Sequence, residues 1–157
     1  MSHVPDLDEL RRLLAANGIH TVQAAMRSKD LAKLGDSLVN LLHSLAQSMV
    51  ANRFEGAKVS GKTLASALRT ANLRQFAPSR LDSHGLGDTV EALIAFAWIR
   101  GAFSIPEGAA LLARELRRAG AESIKAKDSR AHPAVTAFAG LLQHICAKDS
   151  MREAQSQ

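Results

Sequence analysis

Residues 31–40 read LAKLGDSLVN and lie inside an apolar pattern with the spacing of a helix. Leucines recur three or four residues apart here, which predicts a long helix over about residues 29–51. Gly35 lowers the stability of such a helix by about 1 kcal/mol relative to alanine, and Asp36 adds a charge that needs compensation. The pair predicts a close backbone approach beside a carboxylate. The alternative is an aspartate on the wet side of an amphipathic helix.

The apolar spacing predicts further helices on both sides of this one. They cover Pro5 to the Asn17-Gly18 pair, Thr21–Met26, Ser60–Leu73, His84–Gly101, Pro106–Ala119 and Pro133–Ala147. Residues 121–132 read as a polar connection, and residues 148–157 as a polar tail. Aromatic residues make up only 4% of the chain, while alanine and leucine dominate, which favours helix over strand. The sequence therefore predicts one all-α domain over residues 1–147.

Several classes of protein are excluded by what the sequence lacks. Cys146 is the only cysteine, so an intrachain disulfide and a thiol-rich zinc site are both excluded. The first ten residues have no apolar core of a signal peptide. No stretch approaches the roughly 18 apolar residues of a membrane span. We expect a cytoplasmic protein without a membrane partner.

The positive charge is concentrated in one part of the chain, residues 52–80, which we call the basic segment. It carries six basic residues and one acid, so it alone accounts for the net charge of +5. The basic residues are Arg53, Lys58, Lys62, Arg69, Arg74 and Arg80. Such an excess attracts polyanions, because phosphate neutralisation releases counterions. The alternative is a solvated surface with no specific partner.

A second motif, DSHGLGDTVEALI, occupies residues 82–94. Asp88 and Glu91 are three residues apart, so a helix places their side chains on one face. If that face meets Asp36, the three carboxylates supply the hard oxygen ligands that Mg²⁺ prefers, with Mn²⁺ as a substitute. The alternative is a pair of acids at the exposed start of a helix, which is common because the helix dipole favours it.

Two segments together resemble the signature motifs of ribonuclease III. They are LGDSL at residues 34–38 and DTVEALI at residues 88–94, in the order and at about the spacing of that family. The resemblance covers about residues 28–103 and is nearest to compact archaeal members that consist of the nuclease domain. No segment resembles an appended double-stranded-RNA-binding module. The resemblance implies an all-helical, homodimeric endonuclease that uses Mg²⁺ to cut double-stranded or structured RNA during RNA processing.

The resemblance also implies roles for particular residues. Asp36, Asp88 and Glu91 match three of the family's four metal-site acids, and Asp36 and Glu91 are expected to matter most. A metal-activated water would attack phosphorus and leave a 5′-phosphate and a 3′-hydroxyl. Ala32 stands where the family usually has a glutamate, and Lys29 stands where another glutamate is common. The alternative function is therefore a catalytically inactive RNA-binding or assembly domain.

Candidate RNA-binding residues come from the basic segment. Double-stranded RNA is recognised mainly through its phosphates, its 2′-hydroxyls and its shape, so basic side chains are sufficient and aromatic residues are not required. The predicted RNA contacts are Lys58, Lys62, Arg69 and Arg74. The first two flank a predicted helix start, where backbone N–H groups also favour phosphate.

Two polar residues are predicted to contact the carboxylates and hold them in position without binding the metal themselves. His84 precedes Asp88 by four residues, and Asn40 follows Asp36 by four, so each pair shares a helix face. The alternative for His84 is a helix-cap or surface histidine. His43 also follows Asp36 with helical spacing, but we expect it to be a structural histidine with satisfied hydrogen bonds.

Overall fold

The computed structural model describes residues 5–126 and 132–155, and over these ranges the chain is helical with no strand. The all-α prediction is confirmed. The helices are α1 (Pro5–Ala16), α2 (Val22–Met26), α3 (Lys29–Ala51), α4 (Gly61–Thr70), α5 (Ser83–Ile99), α6 (Ile105–Ala126) and α7 (Pro133–Gln155), with a 3-10 turn at Arg74–Phe76. None of the described helices is long and apolar enough to cross a membrane.

Side-chain caps fix where the three helices nearest the motifs begin. The Ser28 hydroxyl accepts a hydrogen bond from the Leu31 N–H at 3.2 Å at the start of α3. Ser60 caps α4 in the same way, and the Asp82 carboxylate accepts from the Gly85 N–H at 2.8 Å at the start of α5. Each cap satisfies a backbone donor that the helix itself leaves free, which is typically worth about 1 kcal/mol.

Helix α5 forms the centre of the fold. From Leu86 to Ile99 all but two of its residues are buried, because α2, α3 and α4 pack around it. Helix α6 covers α3, and α7 lies against both α4 and α6. A helix that is enclosed in this way is apolar around its whole circumference and not along one stripe. The polar side chains near the start of α5 therefore project from a helix that its neighbours pack tightly.

Three helix ends differ from the sequence prediction. Helix α4 ends at Thr70 and not near Leu73, because Asn72 adopts the left-handed conformation with φ 60°. Helix α6 continues past Gly120 to Ala126, since a glycine in a packed helix costs only about 1 kcal/mol. Helix α7 likewise continues past Ala147 to Gln155, through a segment rich in good helix formers. Residues 127–131 of the predicted connection lie outside the described residues.

Candidate active site

Helices α3 and α5 cross at Gly35. A Cβ atom added to Gly35 would lie 2.0 Å from the backbone oxygen of Glu91 and 2.4 Å from its carbonyl carbon. No side chain fits in that space, so a close approach of this kind requires glycine. The close backbone approach predicted from Gly35 and Asp36 is confirmed. It brings Asp36, the next residue along α3, to the part of α5 that carries the second motif.

Asp36, Asp88 and Glu91 form what we call the carboxylate cluster. Asp36 is exposed, Asp88 is half-buried, and Glu91 is only 9% exposed. Burial of Glu91, together with the negative charges of Asp36 and Asp88, raises the pKa of its carboxyl group to about 7, and burial is the largest of these causes. The two helices thus place three acids close enough to repel one another when all are ionised.

Two neighbouring side chains contact the cluster. The Asn40 amide Nδ2 donates a hydrogen bond to Asp36 Oδ1 at 3.2 Å, and Asn40 Oδ1 accepts from the Val59 N–H at 2.9 Å. Asn40 therefore links Asp36 to the chain just before α4. The Nε2 atom of His84 lies 3.9 Å from Asp88 Oδ2, and the histidine ring is largely exposed. These are the contacts expected from the four-residue spacings, and their functional roles stay predictions.

The carboxylate cluster has the chemistry of a Mg²⁺ site but not its finished geometry. Within the ranges described, no three His, Cys, Asp or Glu side chains are already arranged to hold a metal ion. The residues nevertheless fit a divalent cation, because within the described part of the chain the charges that act on the buried Glu91 carboxyl are those of two acids. Assignment of Asp36, Asp88 and Glu91 as metal ligands stays a prediction.

His43 differs from the sequence prediction. The ring is only 6% exposed and packs against Phe138, with 5.8 Å between ring centroids. No described residue forms a hydrogen bond with its Nδ1 atom, so the expectation of a histidine with satisfied hydrogen bonds is wrong. Burial lowers the pKa of His43, and the nearby charge of His132 lowers it further. His43 is thus part of the core, held neutral, and not part of an exposed polar strip.

Helix α4 brings the basic segment to the start of α5. A Cβ atom on Gly87 would lie 2.8 Å from the Cα of Gly61, so the two helices touch through their glycines. Gly61 also faces His84, with 3.8 Å between a Cβ built on Gly61 and the His84 Cα. Lys62 directly follows Gly61 and is exposed, so this predicted RNA-binding lysine lies beside the end of α5 that carries Asp88. Lys58 is also exposed and precedes Val59, whose N–H bonds to Asn40.

The two predicted arginines have different surroundings. Arg69 is exposed in the last turn of α4. Arg74 is half-buried, and its Nη1 donates to the backbone oxygens of Pro78 at 3.1 Å and Ala77 at 3.5 Å. Arg74 thus stabilises the loop before α5. The charge of Arg69 lies in solvent.

A cavity that the sequence patterns did not predict lies beside Asp88. The cavity encloses about 530 Å³, including open solvent, between the start of α3 and the start of α5. Its polar lining includes Arg27, Lys29 and Asp88, and Ala32 forms part of its wall. Sequence patterns single out Lys29 and Ala32 but give no reason to notice Arg27, because the lining depends on how α3 lies against α5.

The comparisons with known proteins agree with this arrangement. A family model described as Ribonuclease III matches residues 29–150. A comparison with curated proteins gave no match. The matched region begins with the first residue of α3 and ends inside α7, so it contains both motifs and most of the last helix, for which the sequence alone gave no assignment. The chain belongs to the ribonuclease III family.

Proposed function

We propose that this protein is a divalent-metal-dependent endoribonuclease that hydrolyses phosphodiester bonds of double-stranded or structured RNA in RNA processing. The observation that carries the proposal is the contact of Gly35 with the backbone of Glu91. It brings Asp36 to the two acids of α5 in a chain of the ribonuclease III family. Membership of this family indicates an RNA-processing nuclease, and the carboxylate cluster is the part of the fold suited to that chemistry.

Asp36, Asp88 and Glu91 would hold Mg²⁺ through their carboxylate oxygens, with Mn²⁺ as a substitute. Bound Mg²⁺ supplies an activated water and stabilises negative charge on the phosphate. Asn40 holds the Asp36 carboxylate in place through its 3.2 Å hydrogen bond, and His84 lies where it can orient Asp88. Because Gly35 fixes α3 on α5, the separation between Asp36 and Glu91 depends on rigid helices and not on a loop.

The basic segment supports RNA as the substrate. Lys58, Lys62 and Arg69 are exposed, and Lys62 lies beside the start of α5. Neutralisation of RNA phosphates by these side chains would release counterions, so we expect binding to weaken steeply as salt is raised. A phosphate backbone bound by these lysines would lie next to the carboxylate cluster.

Helix α3 also supports a homodimer. Leu34, Leu41 and Met49 follow one another by seven and eight residues, so they form one stripe along the helix. Their exposed fractions are 40%, 45% and 43%, and Leu45, between them, is half-buried. A second copy of the chain would cover this stripe through a symmetric contact. Sedimentation equilibrium of the full chain tests this, and a monomer at micromolar concentration would contradict it.

The decisive experiment is cleavage of a long, perfectly paired RNA by the purified full chain in Mg²⁺, Mn²⁺ or chelator. We expect cleavage to require a metal ion and to leave 5′-phosphate ends. Asp36→Asn should lower the rate by at least about a hundredfold, since even residues behind metal ligands typically contribute ten- to a hundredfold. Binding of the RNA in chelator and the fold should be retained. Asp30→Asn is the matched control, because Asp30 lies on the same helix, is largely exposed and pairs with the exposed Lys33.

The alternative is an RNA-binding or assembly domain that has lost the reaction. Ala32 and Lys29 favour it, because both occupy positions at which the family usually has acids. Absence of cleavage with either metal, together with salt-sensitive binding of duplex RNA, would favour this alternative or a substrate more specific than a simple duplex. Cleavage that survives Asp36→Asn would instead show that the reaction takes place elsewhere.

A further inference from the structure

The cavity beside Asp88 has one polar wall made by the start of α3 and another made by the start of α5. On the α3 side its lining includes Arg27, Ser28 and Lys29. On the α5 side it includes Asp88 and Thr89. Because Asp88 also belongs to the carboxylate cluster, anything that occupies this cavity lies next to the cluster.

The two cations of the lining have no partner among the residues that the structure describes. Neither Arg27 nor Lys29 forms an ion pair or side-chain hydrogen bond with any described residue, and both are exposed. The Thr89 hydroxyl already donates to the Leu86 oxygen at 2.6 Å, while Ser28 Oγ accepts from the Leu31 N–H and keeps its O–H to donate. The groups of the cavity that can still donate are therefore the two cations and the Ser28 hydroxyl, and all of them suit an anion.

Charge decides which kind of ligand suits the cavity. Asp88 is its only acidic lining residue, so the lining carries two positive charges against one negative charge. Ala32, together with Met26, Pro78 and Leu81, adds apolar surface without any oxygen ligand from a side chain. A metal ion would be repelled by this wall, whereas an oxyanion would be attracted by it.

We propose that this cavity is an anion subsite that seats a phosphate diester of the bound RNA, next to the diester that lies at the carboxylate cluster. Arg27 holds the phosphate through its planar guanidinium, which matches two phosphate oxygens, and Lys29 adds a point charge. The subsite would hold the RNA strand on the side of the carboxylate cluster where the cavity lies. Asp88 is the only acidic residue in the lining of that cavity. This inference rests on the proposed function, since it takes RNA as the ligand.

The test is binding of a fluorescently labelled RNA duplex by the full chain in chelator, followed by anisotropy over a range of NaCl concentrations. We expect the double variant Arg27→Gln/Lys29→Gln to bind about tenfold more weakly at moderate salt. The slope of log K against log salt should also fall by about two, one for each lost phosphate contact. Thermal unfolding should match the wild type, because both side chains are exposed and free of internal partners.

The control is Arg12→Gln/Lys148→Gln, which also removes one arginine and one lysine. These residues lie near the other end of α5: Arg11, beside Arg12, donates to the Ile99 oxygen, and Lys148 lines a pocket with Phe96. We expect this control to lower the salt slope by much less than the cavity variant. The charge-preserving variant Arg27→Lys/Lys29→Arg should restore most of the binding.

The outcomes separate this inference from the proposed function. If the wild type binds and cuts duplex RNA, but the cavity variant behaves like the control, the subsite is overturned and the nuclease proposal stands. If the wild type neither binds nor cuts duplex RNA, both fail together. Loss of salt slope in the cavity variant, with recovery in the charge-preserving variant, supports the subsite even in a domain that does not cleave.

Discussion

Two helix crossings on α5 lie about one turn apart and differ in what they bring to the site. Helix α3 crosses at Glu91 through Gly35, and helix α4 crosses at Gly87 through Gly61. The first approach is tighter, because a Cβ on Gly35 would lie 2.0 Å from backbone, against 2.8 Å for one on Gly87. The first crossing gathers acids and the second brings lysines.

The two crossings differ in the electrostatic free energy that the folded protein must accommodate. At the acidic crossing, a carboxyl group is buried beside two other acids, which opposes its ionisation. At the basic crossing, Lys58 and Lys62 are exposed and keep their charges in water. The acidic crossing is therefore the part of the site where ionisation costs free energy. The basic crossing is an exposed surface next to it.

Gly35→Ala is the change with the largest expected effect, because it acts on the tighter crossing. The new Cβ would overlap the backbone of Glu91, and neither helix can yield without disturbing the core around α5. We expect a loss of more than about 4 kcal/mol in the free energy of unfolding, or failure to fold. Urea denaturation followed by circular dichroism measures this.

The basic crossing supplies the matched variants. Gly87→Ala should cost about 1 to 3 kcal/mol, since its Cβ meets Gly61 at 2.8 Å. Gly61→Ala meets nothing closer than 3.8 Å and should stabilise the protein by up to about 1 kcal/mol. If Gly35→Ala proved no more harmful than Gly87→Ala, the two crossings would be equivalent and the comparison would fail.

Glu91→Gln sharpens the comparison at the acidic crossing. In the absence of metal the pKa of Glu91 is about 7, above its ordinary value of 4.5, so the folded state keeps a proton that the unfolded state releases between these pH values. Folding stability from this group is therefore lost as pH rises through that window. In chelator at pH 8, Glu91→Gln should be more stable than the wild type by about 1 to 3 kcal/mol.

The difference between the two proteins should disappear near pH 4, where glutamate is protonated in both the folded and the unfolded chain. Addition of Mg²⁺ at pH 8 should stabilise the wild type but not the variant if the cluster binds the ion. Denaturation curves at both pH values, with and without Mg²⁺, measure this. Equal stability of the two proteins at pH 8 in chelator would contradict the strained acidic crossing.

The sequence was sufficient for the helices and for the tight crossing. The predicted helix 29–51 coincides with α3, and the predicted helix His84–Gly101 differs from α5 by at most two residues at either end. Gly35 could be interpreted because two costs, a glycine and a charge, fall together in an otherwise favourable apolar helix. Such a coincidence indicates a local requirement, and here that requirement is contact with backbone.

The register between helices could not be predicted. Because α5 is apolar around its circumference, its sequence does not tell which face meets α3 and which meets α4. The cavity lined by Arg27 and Lys29 depends on that register and so left no sequence signal. The unpaired Nδ1 atom of His43 escaped for a similar reason, since a helix position can reveal burial but not a missing partner from another helix.

Lys62→Gln is the change with the smallest expected effect and acts on the basic crossing alone. Its side chain is exposed, so stability should be unchanged, in contrast to Gly35→Ala and Glu91→Gln at the acidic crossing. Binding of duplex RNA in chelator should weaken a few-fold, and the salt slope should fall by about one. Lys148→Gln, at the far end of α5, is the control and should leave the slope nearly unchanged. If both lysines lowered the slope equally, RNA would respond to net charge, and the basic crossing would not be its binding surface.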